Sequence, residues 1–298
     1  MVITRMRITM LACVVALAVL GACSSDSDSP SEPTDAGSTE EPTPSEGPTD
    51  EPSPAEEATD DETNTVSFQV WFADGKRLAP AVATIEATPR VGSASLEALI
   101  KGPAGAGDLT SAVPAGTRVN SLSIEGGTAT VDLSSEFESG SGIPSMGMRL
   151  GQLTFTLTQF PTVKRVVLEV EGERVDEFSK EGLVIERPLT RADFEDISPA
   201  IIVDRPLGES QTGSPVTISG TANVFEANVS IRIVGSDGEV LAKTFTTATC
   251  GTGCRGKFSK AVEFEVEKPT EATIQVYEES AKNGKPVNMI EVPLTLTP

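Results

Sequence analysis

PAGTRVNSLSIEGGTATVDLSSEF, from Pro114 to Phe137, is the stretch on which the reading of the first folded region turns. Two runs of strand-forming residues, Val119–Ile124 and Thr128–Leu133, flank Glu125-Gly126-Gly127. Adjacent glycines reach positive φ without a Cβ clash, which a tight hairpin turn requires. Working outward, Val66–Phe72 (VSFQVWF) reads as a strand running into an Asp74-Gly75 turn, and a second extended stretch covers 77–88. Leu96, Leu99 and Ile100 fall at helical spacing, so the pattern predicts a helix over 93–101 that ends at Gly102. On the other side, Pro144 opens a helix with the apolar stripe Met146, Leu150, Leu153, Leu157 and Phe160. Leu153-Thr-Phe-Thr-Leu157 alone alternates like a strand, but the longer stripe advances by fours and threes and decides for helix. Val163–Val170 reads as a buried strand.

The helix followed by Lys101-Gly102-Pro103, the Pro114–Phe137 hairpin and GQLTFTLTQFPTVKRVVLEVEGERV (Gly151–Val175), in that order, resemble the GerMN domain, a family named from proteins of sporulation and spore germination. The resemblance rests on order and pattern, not on a catalytic signature. It implies a small α+β domain with helices on one face of a sheet and no known enzymatic chemistry. It also implies a place in envelope assemblies, as with the ring-building modules of secretion machinery.

Beyond Pro199 the pattern changes. Ile201–Val203, Val216–Val224, Val229–Val234, Val240–Ala248, Phe258–Val266, Thr273–Tyr277 and Ile290–Leu296 are short strand candidates separated by turn signals such as Asp237-Gly238 and Asn283-Gly284. This is the pattern of an all-β immunoglobulin-like sandwich. DRPLGESQTGSPVTISGTANVFEANVSIRI (Asp204–Ile233) and ATIQVYEESAKNGKPVNMIEVPLTL (Ala272–Leu296) further resemble the immunoglobulin-like domain of bacterial spore germination, which frequently follows a GerMN domain. The expected domains are 65–190 and 191–298, with 185–200 as a connector apolar enough to let the two pack together.

The start of the chain reads as an address. Arg5 and Arg7 precede the apolar run Met10–Leu20, which is too short to span a bilayer and has the build of a secretory signal over residues 1–22. Leu20-Gly21-Ala22-Cys23 resembles the lipobox of bacterial lipoproteins. That resemblance implies diacylglycerol on the Cys23 thiol, cleavage before it, acylation of the new amino terminus (palmitate among the acids that serve) and anchorage in the lipid bilayer. An ordinary signal peptide with a coincidental cysteine is the plainer alternative. Residues 24–64 carry 14 acidic side chains, no basic one and no apolar residue larger than Ala, so they read as a disordered tether. It serves either as a spacer or as a solubilising tail.

Formal net charge is −21, two thirds of it in the tether, and the chain lacks histidine. The absence of histidine removes Ser-His and Cys-His catalysis and zinc-histidine sites. No run of Lys and Arg marks a nucleic-acid surface, so nucleic acid is set aside as a partner. Cys250-Gly-Thr-Gly-Cys254 is expected to form a disulfide outside the cell, with a redox role beside Arg255 as the sharper alternative. Gly102, Gly105 and Gly107 read as a turn, because they follow a helix and no Gly-Lys-Ser/Thr succeeds them. Asp193, Glu195 and Asp196, and likewise Glu171 and Glu173, could form carboxylate pairs for a hydrolase or calcium, but read as solvated surface charge. No catalytic, cofactor-binding or metal residue is expected. The composite expectation is a non-enzymatic, lipid-anchored module of a Gram-positive, actinobacterial-type envelope. Its expected partner is an envelope protein, with peptidoglycan or wall polysaccharide as the alternative ligand and a wall hydrolase as a distant third.

Overall fold

The computed structural model describes residues 64–298 apart from 106, 141 and 179–182. The expected signal, Cys23 and the expected tether up to residue 63 lie outside the described residues. Those described hold two hydrophobic cores, one built around Trp71, Leu96, Val131 and Leu153, the other around Ile218, Ile231, Ile274 and Leu296.

In the first domain β1 (Thr65–Asp74) and β2 (Arg77–Glu86) form a two-stranded hairpin. Strict alternation sorts its side chains: Phe68, Val70 and Phe72 share one face with their partners Ala83, Ala81 and Ala79, while Gln69 and Trp71 point the other way. Helix α1 (Val91–Lys101) packs on this hairpin and against α2. A second sheet has the order β3 (Val119–Glu125), β4 (Thr128–Leu133), β5 (Arg165–Val170), β6 (Glu173–Arg174). The β3–β4 turn has Gly126 at φ 54° and Gly127 at φ 80°, the left-handed values anticipated for the glycine pair. Strands β4 and β5 are parallel and joined through α2 (Ile143–Thr158), so the expected hairpin, helix and strand form one crossover unit. Phe160 packs on the core from just beyond the helix end instead of completing its stripe. Two short strands, β7 (Glu177–Phe178) and β8 (Leu183–Val184), close the domain.

The second domain contains the seven expected strands with small shifts of their ends: β9 (Ile201–Arg205), β11 (Val216–Ala222), β12 (Asn228–Gly235), β13 (Val240–Thr247), β14 (Gly256–Val262), β15 (Thr270–Glu279) and β16 (Pro286–Leu296). A two-residue β10 (Gln211–Thr212), too short to leave a pattern, adds itself parallel to β16. The sheets β10-β16-β15-β12-β13 and β14-β11-β9 face each other across the apolar residues of alternate positions. At Gly220 the backbones of β9 and β11 leave no room for a side chain. A Cβ there would sit 1.9 Å from the Ile202 carbonyl oxygen, at the register shift between Ser219 and Gly220.

Candidate functional site: the seam between the domains

Helix α2 carries a second stripe besides its apolar one. Arg149, Gln152, Thr156 and Gln159 advance by three, four and three, so they share a face, and the first three are almost wholly buried. Their partners are main-chain groups. Gln159 accepts from the Gln69 amide at 2.7 Å and donates back to the Gln69 carbonyl, while Thr156 Oγ1 accepts from the Trp71 amide at 3.1 Å. Gln152 accepts from the Ala112 amide at 2.9 Å and donates to the Thr110 carbonyl at 3.1 Å. Arg149 donates to the carbonyls of Ala112 and Phe137. The free side of β1, which β2 does not reach, is thereby closed by helix side chains and by the Ala73–Thr110 bridge.

Gln69 also points at the second domain, donating from Nε2 to the Val203 carbonyl at 3.0 Å. Arg77 donates to the Ser198 carbonyl at 2.7 Å and the Leu78 amide to the Ile197 carbonyl at 2.8 Å, tying the hairpin to the connector. Arg255, on the sandwich, binds Glu195 of the connector through Nε at 2.8 Å and Nη2 at 3.0 Å, and reaches the Pro199 carbonyl at 2.7 Å. Asn223 completes the carboxylate's partners at 2.9 Å. Burial would raise the Glu195 carboxyl, but the hydrogen bonds from Arg255 and Asn223 and the Arg255 charge outweigh it and hold it below its ordinary value. Asp196 is exposed, as expected of solvated charge, but the other two connector acids are not simply that. Glu195 is the interdomain clamp, and Asp193 forms a capping box with Thr190 while pairing with Arg187. Glu171 likewise receives the Ser135 amide at 2.8 Å.

Arg191 occupies the centre of the seam. Its guanidinium lies 4.9 Å from the Phe155 ring centroid and 5.8 Å from that of Trp71, donates to Thr158 at 3.0 Å and pairs with Asp204 of β9 at 3.1 Å. Burial lowers its pKa from the ordinary guanidinium value, and Asp204 works against that shift. Around it opens a groove of about 570 Å³ that spans both domains. Lys164 from the α2–β5 loop, Arg205 at the end of β9 and Lys257 on β14 converge on its walls and, like Arg191, are cations. Asp204 is the one acid among the lining residues. From residue 65 onward the chain has 30 acids and 21 bases, so this lining reverses the sign of its surroundings. Sequence inspection finds no basic patch because positions 164, 191, 205 and 257 are far apart in the chain, and only the packing of two domains gathers them.

Cys250 and Cys254 are joined in a disulfide with Cα atoms 5.8 Å apart, in the loop before β14. The guanidinium of neighbouring Arg255 is committed to Glu195, which removes the cation that a redox reading would have needed beside the sulfurs. Gly102, Gly105 and Gly107 all have positive φ in the loop after α1. Among the described residues, His, Cys, Asp and Glu form no group of three or more that could hold a metal ion, and no helix is long and apolar enough to cross a membrane.

An α+β domain clamped to a β-sandwich by its connector defines a two-domain module with one continuous body. The particular kind follows from comparison with known families. Residues 57–176 match the family described as sporulation and spore germination, and residues 200–285 match the immunoglobulin-like domain of bacterial spore germination. The chain therefore carries a GerMN domain followed by the immunoglobulin-like spore germination domain, and neither match is to a family described by an enzymatic activity. Comparison with curated proteins gives no significant match. Among solved structures, the first GerMN domain of the sporulation protein GerM from Bacillus subtilis is 26% identical, covering 43% of this chain and 98% of its own, at a TM-score of 0.38. The tandem GerMN domains of the same protein are 18% identical over 78% of this chain and 60% of theirs, at 0.40. A candidate lipoprotein from Clostridium perfringens is 22% identical over 47% of this chain and 96% of its own, at 0.34.

Proposed function

We propose that the chain is a non-enzymatic envelope lipoprotein, anchored through acylated Cys23, whose two domains act together as a rigid binding and scaffold module. The observation that carries this reading is the seam. Gln69–Val203 directly, and Arg191–Asp204, Arg255–Glu195 and Arg77–Ser198 through the connector, fasten the domains, so a partner meets one fixed surface composed from both. A swinging pair of domains would lose binding free energy to the ordering of their linker. The partner is an envelope protein, met at a distance from the membrane set by the acidic tether. Fractionation of cells expressing the full chain or Cys23→Ala, followed by in-cell photo-cross-linking and mass spectrometry, tests the proposal. The expected result is membrane retention and a reproducible protein cross-link, both lost in the variant. A variant that stays membrane-bound would overturn the anchor, and cross-links unchanged by release from the membrane would overturn the tethered scaffold.

The second reading, a module that binds wall polysaccharide, is favoured by one specific observation, the cationic groove at the same seam.

A further inference from the structure

We infer that the seam groove is a binding site for an anionic wall polysaccharide, a hydroxylated polymer with phosphate or carboxylate in its repeats. The inference deepens the polysaccharide reading above and rests on it for the compartment, but its chemistry comes from the groove alone. Lys164, Arg205 and Lys257 are exposed, come from three separate segments and make no ion pair among the described residues. Three solvated cations on one groove, with Arg191 held beneath them by Asp204 and two aromatic rings, attract a chain of repeated negative charge in a protein whose remaining surface repels it. Ser67, Thr158, Gln159 and Thr190 lie along the same walls, and although each is hydrogen-bonded within the fold, its side-chain oxygen keeps a lone pair that can accept from a sugar hydroxyl.

Two other polyanions fit less well. An acidic peptide would gain most by adding a strand to the edge of β1 that borders the groove, but Gln159 and Thr156 already occupy the amides of Gln69 and Trp71 there. Single-stranded nucleic acid would need exposed aromatic faces for its bases, and the groove offers Phe68, which is buried, and Phe160, which is half-buried.

The test is equilibrium binding of the purified full-length chain to poly(glycerol phosphate), polygalacturonate, dextran, polyglutamate and oligo(dT), alongside the variant K164E/R205E/K257E. None of the three side chains donates a hydrogen bond within the fold among those described, so the variant keeps its structure, checked by its unfolding midpoint. Binding to one or both of the first two polymers, weakened roughly twenty- to fortyfold between roughly 50 and 200 mM salt as expected for about three charge contacts, and at least about tenfold weaker in the variant, supports the site. Whichever of the two binds identifies the anionic group. Equal binding of the variant, equal binding of neutral dextran, or preference for polyglutamate or oligo(dT) overturns it. Loss of polymer binding with membrane anchoring intact rejects this inference alone, whereas loss of anchoring with polymer binding intact rejects the lipoprotein reading alone.

Discussion

The two domains close their strands by different means. In the sandwich, β12 lies between β13 and β15 and β11 between β9 and β14, and the main chain satisfies itself through regular ladders. In the first domain β1 has a strand on one side, and on the other its amides at Gln69 and Trp71 end on the side chains of Gln159 and Thr156. A ladder of backbone groups tolerates many side chains, provided the alternation holds. A ladder of side chains depends on each residue that supplies it, because a lost partner leaves a buried amide or carbonyl without a hydrogen bond. The first domain is therefore sensitive at polar positions inside its helix. The sandwich is sensitive where two backbones approach too closely for any side chain.

That contrast can be broken or sharpened in order of expected effect. Trp71→Ala should be the most damaging, about 4 kcal/mol, because Trp71 packs edge-on to Phe155 at 4.8 Å and lies beneath Arg191. Urea denaturation followed by circular dichroism should show the first domain unfolding well before the second. Gly220→Ala should cost about 3 kcal/mol and act on the sandwich instead, since the new Cβ would collide with the Ile202 carbonyl. Equal loss from both domains would show that the clamp transmits the damage across the seam. Gln152→Leu, which keeps the apolar bulk but strands the Ala112 amide while the Thr110 carbonyl keeps its Ala73 partner, should cost about 2 kcal/mol. A neutral result in the same melt would mean that the side-chain ladder is dispensable and the contrast false.

Arg255→Gln should cost only about 1 kcal/mol, since Glu195 is more than a third exposed and solvent screens the pair. Its clearer effect should be uncoupling, seen as a single transition resolving into two. The same clamp has a pH signature. The folded Glu195 carboxyl lies below its unfolded value, so its contribution is present above the unfolded carboxylate pKa of about 4.3 and is lost as pH falls through the folded one. Glu195→Gln should therefore lose less stability than the parent between about pH 6 and pH 3. Parallel losses would place the acid sensitivity elsewhere.

The sandwich was legible in sequence nearly strand by strand because period-two alternation is a direct readout of a sheet with one buried face. The hairpins of the first domain were legible for the same reason, and α2 was recognisable from its apolar stripe. Its polar stripe is not legible as a buried one, although positions 149, 152, 156 and 159 carry the same period. Polar residues at helical spacing usually mark the solvent face, and nothing local says that a strand edge will be waiting for them. The seam was the least legible part. The connector's apolar residues suggested that the domains pack together, but Glu195 finds Arg255 sixty positions away. The groove's cations come from four separate segments. Such pairings belong to the tertiary arrangement, and charge counted along the chain averages them away.

Trp71 is the single tryptophan of the chain and Tyr277 the single tyrosine, and both are buried, one in each domain. The protein thus carries one native chromophore per domain, with no labelling needed. Indole emission reports the hairpin and helix α2, phenol absorbance in the near ultraviolet reports strand β15, and neither signal is diluted by a second ring of its kind. Because Trp71 also packs under Arg191, which lines the groove, its emission wavelength should shift when the neighbouring charge is neutralised. Filling of the seam could then be followed by light from the protein itself.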